Sequence, residues 1–80
     1  MIDPEQIRNW IMEGGLPCEH VEVQGDGHHF EAVIVSAAFR GKSRVQQHQL
    51  VYKALGSRMR AEIHALSMQT HTPEDWAARK

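Results

Sequence analysis

A chain of 80 residues allows one domain, expected to span 1–80, with a small core that hides only about 60% of the unfolded surface. Its 41% apolar and 24% charged residues exclude disorder, its single cysteine, Cys18, excludes an internal disulfide, and no apolar run nears the ~20 residues of a membrane span. A net charge of −1 gives no global pull toward nucleic acid, and the polar first ten residues hold no signal-like apolar core, so the expected location is cytoplasmic.

Asp3-Pro4-Glu5-Gln6 predicts a helix start, with Asp3 as cap, proline in the first turn and glutamine three residues after the cap. Ile7, Trp10 and Ile11 supply its apolar stripe, and Gly14-Gly15 with Pro17 stops it. His20 to Gln24 alternates, Val21 and Val23 against His20, Glu22 and Gln24, as a half-buried strand does. Gly25-Asp26-Gly27 predicts a hairpin turn. Phe30 to Val35 is apolar on both faces except at Glu31, which predicts a central strand.

Phe39 to Lys42 reads as a loop, followed by a helix capped by Ser43 and ended at Gly56. Its expected buried stripe is Val45, Val51, Tyr52 and Leu55, extended by Met59. Glu62 to Thr70 alternates as a third strand, with His64 near its mouth. Thr72-Pro73-Glu74-Asp75 starts a last helix, anchored by Trp76.

The order is α-β-β-α-β-α. The first two strands form a hairpin, and the helix between the second and third demands a parallel crossover. The expected fold is an α+β sandwich, a three-stranded mixed sheet with its helices on one side. Parallel neighbours start at the same end of a sheet, so His28 or His29 can approach His64. Cys18 and His20 then fall at the opposite end, roughly 20 Å away at ~3.3 Å per residue. Cys18 is therefore a poor co-ligand for His64. The expected roles of the other histidines are plain: His48 on the helix face toward the sheet, His20 an exposed strand residue and His71 a solvated turn residue.

Two histidines are too few to hold a metal alone, and no Cys-x-x-Cys or His-x-x-x-His pattern accompanies them. They can complete a cluster whose other ligands come from a second protein, since imidazole replaces thiolate at some iron–sulfur centres. A hydrogen-bonded strand histidine is the alternative for His64. Between Glu31 and Glu62 there is no acid, while Arg40, Lys42, Arg44, Lys53, Arg58 and Arg60 supply six positive charges. Arg40, Lys42, Ser43, Arg44 and Lys53 are thus candidates for binding an anion or nucleic-acid phosphate near a helix start. A solvated helix face is the alternative. Arg40-Gly41-Lys42-Ser43 fails the phosphate-loop pattern, because Ser36 stands where that motif needs glycine. Neither a nucleophile–base pair nor paired carboxylates stand out, so an enzyme is not expected.

Five motifs run in order over about three-quarters of the chain. They are Gly25-Asp26-Gly27 with His29-Phe30, Phe39-x-Gly41-x-Ser43, His48 with Val51-Tyr52, Ile63-His64-Ala65-Leu66, and Thr72-Pro73-x-x-Trp76. In these the chain resembles the BolA family, and its short turn is most similar to the small acid-stress-related bacterial paralogues. The resemblance implies a class II KH-like fold, the sheet covered by helices. It implies a monothiol glutaredoxin partner, with which a [2Fe–2S] cluster is shared, and no cofactor in the isolated chain. The glutaredoxin would supply a cysteine and glutathione a second thiolate. The chain would supply the histidine matching His64 and a ligand from the hairpin loop. Asp26 falls where some relatives carry a loop cysteine, which leaves His29 and His28 as candidates for the second ligand. Some members are described as DNA-binding transcriptional regulators, so DNA is a second expected partner. A monomer or weak homodimer away from membranes is expected, with a link to stress response.

Overall fold

The computed structural model describes residues 2–59 and 63–79. Helix α1 (Pro4–Glu13) starts as its cap demands. The Asp3 carboxylate accepts from the Glu5 and Gln6 amides at 2.8 and 3.2 Å, and the Gln6 side chain accepts from the Asp3 amide at 2.9 Å. Ile7 and Ile11 are buried. Gly14 ends the helix against the backbone of Ala54. A Cβ there would lie 2.2 Å from the Ala54 carbonyl oxygen, so no larger residue fits without moving a backbone.

Strands β1 (Cys18–Gly25) and β2 (Phe30–Ser36) pair antiparallel, with an irregularity between Cys18 and His20. β3 (Leu66–His71) pairs parallel with β2, in the order β1-β2-β3. The central position of β2 follows from its two apolar faces, as its sequence predicts. Helix α2 (Arg44–Leu55) is capped by Ser43, whose hydroxyl accepts from Gln46 N, and closes on Gly56 at φ 62°. Helix α3 (Pro73–Ala78) is capped by Thr72. One core face joins Ile7, Ile11, Val21, Phe30, Ile34, Val51, Leu55, Met59 and Leu66.

Four expectations are corrected. The third strand begins at Leu66, and Ile63–Ala65 form a single 3-10 turn before it. The ladder explains this: β2 begins at Phe30, which pairs with Leu66, so earlier residues have no strand to pair with. Glu62, the expected first strand residue, and Arg60 of the basic block lie outside the described residues. Phe39 is no loop residue; it is fully buried in a 3-10 turn (Ala37–Phe39) capped by the Ser36 hydroxyl. On α2, Val51, Ala54 and Leu55 are buried, but Val45 and Tyr52 are exposed. Adjacent residues lie about 100° apart around a helix, so Val51 and Tyr52 cannot both face a narrow contact.

The helices also occupy both sides of the sheet. Thr70 faces α2, where its hydroxyl donates to Gln47 Oε1 at 2.6 Å. Its neighbour His71 must then face the opposite side. There His71 and His20 both register on Val35, and Trp76 of α3 stacks on His20 with ring centroids 5.0 Å apart. Thus α1 and α2 cover one face, and α3 covers one end of the other.

Candidate functional site

The hairpin turn is built around Asp26. Its carboxylate accepts from the amides of both His28 and His29 at 2.9 Å, and its own amide donates to the His29 carbonyl at 3.3 Å. Gly27 takes the positive φ of 94° that this turn requires. The amides of His29 and His28 hold the Asp26 carboxyl below its ordinary range. A fixed backbone thus presents two exposed imidazoles just before β2.

His64 is exposed in the 3-10 turn just before β3. Parallel pairing of Phe30 with Leu66 sets both segments at one edge of the sheet. Two residues back along each chain from that pair stand His28 and His64. The fold therefore brings the three candidate ligands to the same sheet edge. Among the described residues no three His, Cys, Asp or Glu side chains gather into a group able to hold a metal. An edge of exposed imidazoles suits a site whose remaining ligands arrive on another molecule.

Cys18 pairs with Ser36 at the other end of the sheet, six residues of β2 or about 20 Å from Phe30. Burial pushes its thiol above the ordinary value, which disfavours thiolate.

The basic candidates do not form one patch. Arg40 makes a bidentate contact with Glu74 of α3, its Nε at 2.8 Å and its Nη2 on the second carboxylate oxygen. That pairing pulls the Glu74 carboxyl below its usual range and raises Arg40. The Ser43 hydroxyl accepts from Gln46 N, and its own amide donates to Gln46 Oε1, so its polar groups serve the cap. Lys42 and Arg44 are exposed near the start of α2. Lys53 is exposed in its last turn, nine residues or about 14 Å from Arg44.

Of the other histidines, His20 and His71 depart from their plain expectations, while His48 lies on the face of α2 toward the sheet, sharing a recess with Met68 and Thr70 of β3. His20 is half-buried against Trp76, with Nε2 3.4 Å from Glu22 Oε1 but not aligned as a hydrogen bond. His71 ends β3 and lies tilted on Trp76 at 5.4 Å. His48 is half-buried with its Nε2 enclosed and unpartnered. Sequence reasoning missed the His20–Trp76–His71 cluster; the only signal for it was Trp76 four residues after the Thr72 cap.

A family model described as BolA-like protein matches residues 12–75. The DNA-binding transcriptional regulator BolA of Haemophilus influenzae is 42% identical over 60 residues, which cover 75% of this chain and 58% of that protein. Acid stress protein IbaG of Escherichia coli K12 is 38% identical over 68 residues, or 84% of this chain and 81% of that one. Among solved structures, a bolA homologue from Coxiella burnetii superposes with a TM-score of 0.86 at 43% identity, covering 96% of this chain and 99% of that one. The BolA domain of SufE1 from Arabidopsis thaliana gives 0.71 at 38% identity, covering 89% and 92%.

Proposed function

The chain belongs to the BolA family, and from that premise we propose that it is a non-enzymatic partner of monothiol glutaredoxins in binding, trafficking or sensing a [2Fe–2S] cluster. The cluster is shared cargo. His64 is one ligand from this chain, and His29 or His28 is the other. The observation that carries the reading is the parallel β2–β3 register, which sets exposed His64 and the His28-His29 turn at one edge. Imidazoles are borderline ligands that serve iron well, and two of them leave room for the glutaredoxin cysteine and the glutathione thiolate. Asp26 contributes by ordering the turn, and the half-buried thiol of Cys18, at the other end of the sheet, stays out of the site. The test is anaerobic reconstitution of a monothiol glutaredoxin with iron, sulfide and glutathione, with and without this chain. A mixed complex with an altered visible spectrum is expected; a spectrum identical to that of the glutaredoxin alone would refute the reading.

A second reading is a nucleic-acid-binding regulator. Its support is the relative described as a DNA-binding transcriptional regulator, together with exposed Lys42 and Arg44 beside the start of α2. It requires binding that weakens steeply with salt. Amide shifts at Lys42 and Arg44 on adding duplex DNA at low salt would support it, and their absence would remove it.

A further inference from the structure

The outward side of α2 exposes two large apolar side chains, Val45 at 66% and Tyr52 at 41%. They lie seven residues apart, two turns of helix, and so share one side with Gln49 between them. Below Tyr52 the seam opens into a shallow recess walled by Gly56, Ser57, Met59 and Ile63. Arg44 stands about 100° to one side of Val45, and Lys53 about 100° to the other side of Tyr52. Neither has an ion-pair partner among the described residues. The sequence holds no acid between Glu31 and Glu62, so no carboxylate of α2 offsets them.

We propose that this seam docks a protein whose contact surface has an apolar centre bordered by carboxylates. An exposed aliphatic and aromatic pair fills the middle, where a tyrosine contributes most to binding, and the cations stand at the margins. A nucleic-acid backbone wants the reverse, with cations in the middle. An isologous pairing of two copies through the seam would set Arg44 and Lys53 against like charges. The seam docks its partner whether or not a cluster is shared.

The test titrates the 15N-labelled full chain with a synthetic helical peptide bearing leucines along one stripe and glutamates elsewhere. Three controls replace its glutamates by lysine, replace its leucines by serine, or substitute duplex DNA. The Glu/Leu peptide is expected to shift amides from Val45 to Gly56, with binding about tenfold weaker in Tyr52→Ala and in Lys53→Glu. Both positions are exposed, and the dispersion of the variant spectra reports that they fold. No shift along α2 with that peptide would overturn the proposal. So would equal shifts from the Lys/Leu or Glu/Ser peptide, or tighter binding of DNA at the same residues.

Discussion

Asp26 fixes where two candidate ligands begin, because its carboxylate holds the amides of His28 and His29. Its carboxyl is depressed in the folded state, so the stabilisation is present above the ordinary aspartate range and is lost as pH falls through the folded value. The amide shifts of His28 and His29 are expected to titrate with a midpoint below 3.8, the ordinary Asp26 value. A midpoint at or above that value would contradict the turn geometry, and Asp26→Asn is expected to remove the transition. Cys18 gives a second residue-level prediction. Its thiol is raised by burial, so it should react with iodoacetamide more slowly than a free thiol at pH 8, and Cys18→Ser should leave any shared-cluster spectrum unchanged. A changed spectrum would bring Cys18 back as a ligand. Of the site itself, the placement of His28, His29 and His64 at the same end of the sheet was legible in the sequence, since it needed only strand order and direction. The Arg40–Glu74 contact was not, because it joins residues 34 apart through the packing of α3.

At the scale of elements, each helix is defined by its ends. Ser43→Ala removes the hydroxyl that accepts from Gln46 N and is expected to cost about 1 kcal/mol of stability by denaturant unfolding. Phe39 is the largest fully buried side chain, so Phe39→Ala is expected to cost about 3–5 kcal/mol in the same measurement. A loss below about 1 kcal/mol would return Phe39 to the exposed loop that its neighbours Arg40-Gly41-Lys42 suggest. The three caps and the glycine stop of α2 could be read directly, because capping chemistry is local. The start of β3 could not. Alternation continues from Ile63 through Thr70, but a strand extends only as far as its partner, and β2 begins at Phe30. The side taken by α3 was equally hidden, since the parity of His71 and Thr70 becomes meaningful only once Thr70 is tied to α2.

For the whole molecule, one sheet edge carries exposed histidines and α2 carries an acid-free flank, on a body whose net charge is −1. The chain order α-β-β-α-β-α and the strand order were legible because hairpin and crossover rules leave few alternatives. The most direct measurement of the central claim is pulsed electron paramagnetic resonance on the reduced [2Fe–2S] complex, formed from a monothiol glutaredoxin, glutathione and this chain uniformly labelled with 15N. Two 15N couplings of directly ligated imidazole, both arising from this chain and one of them lost in His64→Ala, are the expected result. A cluster in the same mixture that shows no 15N ligand coupling, or one that His64→Ala leaves unaltered, would contradict the assignment of His64.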